Sequence, residues 1–138
     1  MLDIWRRCVI KMKDIILERK NVDTAGIILK SEWGVILCKD SDKWGIPKGK
    51  VELGETPIQA AIRETAEEVS ILVSENGSHI NTPIKIKAVK KNSIGKDFHI
   101  FECRLNMHIL PTKSLEHEEV RYFTELPDDI DPRLKELI

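Results

Sequence analysis

A single predicted helix constrains the fold of this 138-residue chain more than any other feature. Thr56 is a favourable N-cap and Pro57 suits the first helical position, so we expect the helix to begin there. From that point apolar or small side chains recur every three or four residues and form one narrow stripe, which suits packing against a sheet. The stripe consists of Ile58, Ala61, Ile62, Thr65 and Val69.

Three carboxylates lie on the helix face that adjoins this stripe, close to the boundary with the core. Glu64, Glu67 and Glu68 are spaced i, i+3 and i+4, and like charges at such spacings cost roughly 0.2–0.5 kcal/mol per pair. The helix dipole also disfavours anions in these later turns. Arg63 offsets part of the repulsion through Glu67, one turn further on, but it cannot neutralise all three acids.

Two interpretations of the acidic face remain open at this point. It is either a solvated surface without a function, or a site where Mg²⁺ or Mn²⁺ removes the repulsion between clustered oxygen ligands. The upstream loop favours the second interpretation. Gly49 lies there between Lys48 and Lys50, and Glu55 stands at the helix entrance. A cation, two lysines and exposed backbone together suit a polyphosphate, and the cation would polarise water into a nucleophile.

The remaining pattern predicts a mixed-sheet α/β sandwich. Short apolar or alternating runs predict strands over residues 25–30, 34–39, 84–91, 98–105 and 118–123. Glycine and proline make residues 42–50 a loop or a broken strand. Residues 128–138 favour a capped C-terminal helix, whereas residues 1–20 fit either a helix or a strand.

Composition sets the class of protein and excludes several partners. The chain has 22 Lys and Arg residues against 23 Asp and Glu residues, so its global charge provides no attraction to nucleic acid or to a membrane surface. No apolar run is long enough to span a bilayer. Cys8, Cys38 and Cys103 form no CxxC pair, and we interpret them as reduced, mostly buried thiols of a cytoplasmic protein. A catalytic thiol or a zinc site is the less favoured alternative.

The segment over residues 49–71 resembles the Nudix box. That family's pattern is Gly, five residues, Glu, seven residues, then Arg-Glu-apolar-any-Glu-Glu-any-Gly-apolar. The matching positions are Gly49, Glu55, Arg63, Glu64, Glu67, Glu68 and Ile71. Thr65 occupies an apolar position of the pattern. Ser70 replaces its last glycine, which would end the helix in a left-handed conformation.

The resemblance implies a fold and a reaction. The fold is the α/β Nudix fold, a mixed β-sheet sandwiched between α-helices, here as one Nudix hydrolase domain over residues 1–138 with residues 1–21 as an N-terminal extension. The reaction is attack of water on a phosphorus in a diphosphate linkage, with Mg²⁺ or Mn²⁺ as cofactor. The resemblance assigns the metal to Glu64, Glu67 and Glu68 with the backbone carbonyl of Lys48.

The resemblance also implies roles for residues around the metal. Arg63 would orient Glu55 through an ion pair. The general base would be Glu64 or a glutamate of a later loop, with Glu116 as first candidate and Glu119 as second. His117 beside it fits a substrate contact or a loop filler better than a metal ligand.

Substrate choice depends on the segment WGIPKGK, residues 44–50. It resembles diadenosine polyphosphate hydrolases, messenger RNA decapping enzymes and some diphosphoinositol phosphate hydrolases, with Lys48 and Lys50 as phosphate contacts. Trp44, Trp33 or Tyr122 would stack on a base, although Trp44 also fits a packing residue.

We expect a small-molecule nucleotide polyphosphate as the substrate, and a dinucleoside polyphosphate first. Nucleoside triphosphates and RNA 5′ ends follow, and lysines of the strand over residues 84–91 would favour RNA if they formed one face with basic residues near the N-terminus. A catalytically silent binding module is the alternative class, and the sequence leaves both a monomer and a homodimer open.

Overall fold

The computed structural model describes residues 22–115 and 117–138, which form one mixed β-sheet with one α-helix. The strands are β1 (Thr24–Ser31), β2 (Gly34–Asp40), β3 (Lys43–Gly45), β4 (Lys48–Lys50), β5 (Lys85–Lys91), β6 (Asp97–Arg104) and β7 (Glu119–Phe123). Helix α1 (Pro57–Val69) lies between β4 and β5 along the chain.

Strand β1 lies at the centre of the sheet. The strand order is β3-β2-β1-β6-β5, while β4 pairs with β1 and β7 pairs with β2. β1 and β6 are parallel, and the other pairs are antiparallel. Because Gly49 of β4 lies opposite Ala25 of β1, the chain that leaves β4 enters α1 beside the centre of the sheet.

Local sequence determines both ends of α1. The Thr56 hydroxyl accepts a hydrogen bond from the Gln59 N–H, and the Gln59 side chain accepts one from the Thr56 N–H, which completes a capping box. At the other end Ser70 has φ of 60° and ψ of 35°, and its N–H donates to the Ala66 carbonyl at 3.1 Å. Ser70 therefore adopts the left-handed conformation of the glycine that it replaces.

The sheet separates two apolar cores. On one face α1 buries Ala61 and Val69 against a cluster that includes Ile27 of β1. On the opposite face Ile130 and Leu134 of the C-terminal segment join a second cluster. The mixed α/β fold predicted from the sequence is confirmed, and the predicted strands all correspond to strands. The broken strand expected over residues 42–50 is the pair β3 and β4.

The predicted C-terminal α-helix is wrong. Residues 132–137 form successive turns, with hydrogen bonds such as that from the Leu134 N–H to the Asp131 carbonyl at 3.0 Å. A segment this short cannot offset the cost of helix nucleation. In addition, Asp131 is occupied by an ion pair with Arg133 at 2.6 Å. The sheet is therefore covered by α1 on one face and by turns on the other.

The structure describes two of the three cysteines, and both are buried free thiols. Burial raises the pKa of Cys38 and of Cys103 to about 12, so neither is a ready nucleophile. Cys8 and the ambiguous segment over residues 1–20 lie outside the described residues. In the part of the chain that is described, no helix has the length and apolarity needed to cross a membrane.

The substitution Ser70→Gly should raise the free energy of unfolding by about 1 kcal/mol, because a left-handed residue with a Cβ atom is strained and glycine is not. Urea unfolding measures the change. The control is Ser93→Gly. Ser93 is exposed in a turn, and among the described residues only Ser41 and Ser70 combine a side chain with positive φ. Glycine at position 93 should lower stability or leave it unchanged, so equal stabilisation by both substitutions would contradict this explanation.

Candidate active site

The pairing of β4 with β1 brings Gly49 against the carboxylate of Glu64. A Cβ atom added at Gly49 would lie 2.2 Å from the carboxyl carbon of Glu64 and 2.5 Å from each of its oxygens. Glycine is required here by close contact, since any larger residue would displace the carboxylate. Glu64 is consequently enclosed, with a side chain that is 13% exposed.

Arg63 lies at the centre of an acid–arginine cluster formed with Glu52, Glu55, Glu64 and Glu67. Its Nε and Nη2 atoms donate to the two oxygens of Glu55 at 2.7 and 3.0 Å, which is a bidentate pair. Its Nη1 atom donates to Glu64 at 2.6 Å and to Glu67 at 3.2 Å. The same Nη1 atom lies 3.4 Å from Oε1 of Glu52. One guanidinium thus holds four carboxylates.

The acid–arginine cluster also fixes the backbone at the helix entrance. Arg63 Nη2 donates to the carbonyl of Lys50 at 2.9 Å, which joins α1 to β4. The Glu52 N–H donates to Oε1 of Glu55 at 2.9 Å, which closes the turn before the helix. The ion pair between Arg63 and Glu55 suggested by the resemblance is therefore present, and it forms part of a larger network.

Glu68 belongs to a separate arm of the site. Its side chain is 6% exposed. Its Oε1 atom accepts a hydrogen bond from the Lys48 N–H at 2.7 Å, and its Oε2 atom lies 2.5 Å from Nε2 of His117. The Ser114 N–H donates to the Glu68 carbonyl at 3.2 Å. The loop before β7 is therefore attached to the last turn of α1.

Burial dominates the electrostatics of these groups. It raises the pKa of Glu64 to about 7, against the opposing charge of Arg63 and with help from the charges of Glu67 and Glu68. Burial also raises the pKa of Glu68, although the hydrogen bond with His117 opposes it. Burial alone would lower the pKa of Arg63, but its acidic partners raise it above the usual value.

The three helix glutamates do not converge on one point in this arrangement. Arg63 holds Glu64 and Glu67, whereas Glu68 is engaged by the other arm. Residues 22–115 and 117–138 do contain a group of three acidic or histidine side chains whose ligand atoms lie within 4.8 Å of one another. That group lies elsewhere, at the starts of β1 and β6. A single cation could contact all three glutamates only after at least one side chain has exchanged its present partner. The donors themselves, all carboxylate oxygens, suit Mg²⁺ or Mn²⁺.

A cleft of about 210 Å³ opens beside the acidic helix. Its walls come from β2, β3, the chain leading into β4 and the C-terminal turns. The charged and aromatic side chains that line it include Asp40, Asp42, Lys43, Trp44, Lys48, His117 and Arg133. Because Lys48 and His117 both hydrogen-bond to Glu68, the cleft adjoins the carboxylates. His117 Nδ1 is buried and has no hydrogen-bond partner among residues 22–115 and 117–138.

Trp44 mainly packs the loop that carries Lys48. It is 4% exposed, meets Phe123 edge-on with 4.6 Å between ring centres, and has the Arg121 guanidinium over its ring at 5.1 Å. Burial and these contacts therefore leave little of the Trp44 ring for a base to stack on. Lys48 lines the cleft, whereas Lys50 is exposed on β4.

The other two aromatic candidates lie away from the cleft. The Tyr122 hydroxyl donates to the Ile109 carbonyl at 2.6 Å. Trp33, at the turn between β1 and β2, stacks on His108 with 4.6 Å between ring centres. Neither ring belongs to the described residues that line the cleft, so the structure does not bring Tyr122 together with Trp44 and Lys48.

The two later-loop candidates for a general base differ in position. Glu116 lies outside the described residues. Glu119 is on β7 opposite Lys39 and lies 3.7 Å from Nε of Arg121. Its exposed carboxylate is therefore held at the edge of the sheet, away from the acid–arginine cluster.

The sequence interpretation missed two participants. Glu52 precedes Glu55 by three residues, and the turn hydrogen bond between them, from the Glu55 N–H to the Glu52 carbonyl at 3.0 Å, brings its carboxylate near Arg63. In the sequence, the pair of acids in ELGE, residues 52–55, was the signal that could have indicated the role of Glu52. The pairing of His117 with Glu68 spans 49 residues, and no spacing rule indicates it.

The mixed sheet and the glutamate-bearing helix beside a charged cleft define an α/β protein with enclosed carboxylates next to cationic side chains. The sequence pattern of the NUDIX domain matches residues 20–137, so the chain belongs to the Nudix family. A MutT-like protein of Streptomyces ambofaciens is 28% identical over 122 residues, which cover 85% of this chain and 71% of that protein.

Solved structures share the fold. A MutT NUDIX hydrolase from Burkholderia pseudomallei matches with a TM-score of 0.67 and 18% identity, over 86% of this chain and 95% of that one. An Ap4A hydrolase from C. elegans matches with a TM-score of 0.59 and 25% identity, over 72% of this chain and 77% of that one. The family membership predicted from the box is confirmed, and the chain is a Nudix pyrophosphohydrolase.

The metal-free protein should lose stability as the pH rises from about 4.5 to about 7. In the unfolded chain Glu64 has its ordinary pKa of 4.5, whereas in the folded protein its pKa is about 7. The folded state therefore binds the proton more tightly and loses that advantage across this window. Urea unfolding at several pH values in a chelator measures the slope.

Glu64→Gln should flatten this part of the pH profile, because glutamine does not titrate. Glu75→Gln, at an exposed loop position, is the matched control and should keep the wild-type profile. A Glu64→Gln profile as steep as the wild type would show that another group is responsible.

Proposed function

We propose that this hydrolase cleaves a diphosphate linkage in a dinucleoside polyphosphate, with Glu64, Glu67 and Glu68 and the Lys48 carbonyl holding Mg²⁺ or Mn²⁺. The observation that carries the proposal is the enclosure of Glu64 and Glu68 beside a cleft that contains Lys48. Burying carboxylates is costly unless their charge is compensated, and a divalent cation between them and a polyphosphate would supply that compensation.

When bound, the cation would neutralise phosphate charge and polarise the attacking water. The protein residues would position the carboxylates, bind phosphate and accept a proton. Arg63 holds Glu55 and Glu64 in fixed rotamers, which preserves the carboxylate geometry during turnover. Lys48 supplies a positive charge at the cleft, where phosphate oxygens enter. Glu64, enclosed against Gly49, is the first candidate to accept the proton of the water, and Glu116 is the alternative base.

Several observations support a small substrate with a chain of phosphates. The C. elegans relative is an Ap4A hydrolase. The cleft combines acidic groups that can accept hydrogen bonds from a nucleoside with the cationic groups of Lys43, Lys48 and Arg133. Lys50 on β4 extends this positive charge toward the acid–arginine cluster. Trp44 in this proposal contributes to the wall of the cleft, and Tyr122 contributes through the packing of the neighbouring loop.

A nucleoside triphosphate or an RNA 5′ end is the second candidate. The exposed lysines of β5 would serve an RNA, but β5 is the far edge strand of the order β3-β2-β1-β6-β5, whereas the cleft lies at β2 and β3. With strands about 4.8 Å apart, these lysines do not continue the cleft. The geometry therefore favours the compact nucleotide.

A substrate panel in oxygen-18 water tests the proposal. Diadenosine tetraphosphate with Mg²⁺ should yield AMP and ATP, with the label in the product whose phosphorus was attacked. Nucleoside triphosphates and a capped RNA serve as competing substrates. Faster turnover of either would reassign the substrate, and tight binding without any turnover would identify a catalytically silent module.

Glu67→Gln should lower kcat by roughly 100-fold or more, since it removes a negative ligand whose loss costs several kcal/mol of transition-state stabilisation. The side chain is near isosteric and 29% exposed, so circular dichroism and the unfolding midpoint should stay close to wild type. Glu75→Gln is again the control, because it removes an acid from an exposed loop. Normal turnover by Glu67→Gln would show that the metal is bound elsewhere.

A further inference from the structure

A second group of potential metal ligands lies where β1 and β6 begin. It consists of Asp23, Asp97 and His99, whose ligand atoms all lie within 4.8 Å of one another. His99 pairs with Ala25 in the parallel register of β1 and β6. Since side chains alternate along a strand, Asp23 shares a face with Ala25, and Asp97 shares a face with His99. The sheet itself therefore brings the three side chains to one surface.

The spacing of these atoms suits coordination. Oδ2 of Asp23 lies 3.1 Å from Nε2 of His99, and two ligands about 2.1 Å from a tetrahedral metal are separated by about 3.4 Å. The cluster is also held in place, because the Asp97 N–H donates to Oδ1 of Asp23 at 3.2 Å. Behind it, the Asn92 side chain donates to the carbonyl of Val22 at 3.1 Å.

A lysine pairs with one of these carboxylates, and it would compete only weakly with a metal ion. Lys91 Nζ lies 3.0 Å from Oδ1 of Asp97, but the lysine side chain is 74% exposed. Ion pairs of this kind contribute little and exchange readily with solvent. Asp23, Asp97 and His99 are themselves partly exposed, so an ion has access to them.

We propose that Asp23, Asp97 and His99 form a second divalent-metal site, separate from the Nudix glutamates. One imidazole nitrogen with two carboxylate oxygens favours a first-row transition ion such as Zn²⁺ over Mg²⁺. Three protein ligands leave at least one position for water or for an anionic ligand. The site lies on the same sheet face as Glu64. Ala25 separates His99 from Gly49, a distance of two strand spacings or roughly 10 Å.

The test is a Zn²⁺ titration of the full chain in excess Mg²⁺, followed by nitrogen-15 NMR of the histidine rings. Excess Mg²⁺ occupies the glutamates, and each ring reports separately. The ring nitrogen resonances of His99 should shift and saturate with one equivalent of Zn²⁺. Asp23→Asn and Asp97→Asn should each weaken this binding at least about tenfold. Mutating a residue that only hydrogen-bonds to a metal ligand already lowers metal affinity by about that factor.

His79→Gln is the matched control, because His79 is exposed on a loop outside the cluster, and it should leave the titration of His99 unchanged. Amide spectra verify that each variant is folded. If the His99 ring does not respond to Zn²⁺, or if both aspartate variants titrate as the wild type does, the cluster is only a hydrogen-bonded surface feature. Because the measurement involves no turnover, its failure leaves the proposed hydrolase function untouched, and the reverse also holds.

Discussion

The contact of one guanidinium with four carboxylates is the interaction on which the active site depends. Arg63 joins the entrance loop, β4 and two turns of α1 through Glu52, Glu55, Glu64 and the Lys50 carbonyl. A bidentate pair fixes direction as well as distance. The acids of the helix can therefore stand close together before any substrate or cation has bound.

The sheet makes this contact possible by placing one glycine. β4 is only three residues long, yet its pairing with β1 puts Gly49 where the Glu64 carboxylate needs room. Lys48 on the same strand directs its N–H to Glu68 and lines the cleft. A short strand thus sets the distance between the acidic helix and the charged cleft, and the larger core on each side of the sheet keeps that strand in position.

Local patterns in the sequence predicted a large part of this structure. The Thr56 cap, the apolar stripe of α1 and the alternating strands are properties of neighbouring residues, and they occur as predicted. The resemblance to the Nudix box likewise implied the ion pair of Arg63 with Glu55. The C-terminal helix failed because its pattern was helical but too short, and packing of Leu134 and the Asp131–Arg133 pair decided its conformation. The His117–Glu68 contact joins distant parts of the chain, which only the fold determines.

The charge balance of the acid–arginine cluster links stability to function. Four acids surround the guanidinium of Arg63, and two unit charges 4 Å apart interact by about 4 kcal/mol at an effective dielectric constant of 20. The pKa of Glu64 is raised mainly by burial and further by the charges of Glu67 and Glu68, so a proton lowers the cost of enclosing this carboxylate. In the proposed complex a divalent cation would lower this cost more completely and would leave the carboxylate ionised. The free-energy cost of enclosing these acids in the metal-free protein would then be the same free energy that favours binding of a cation there.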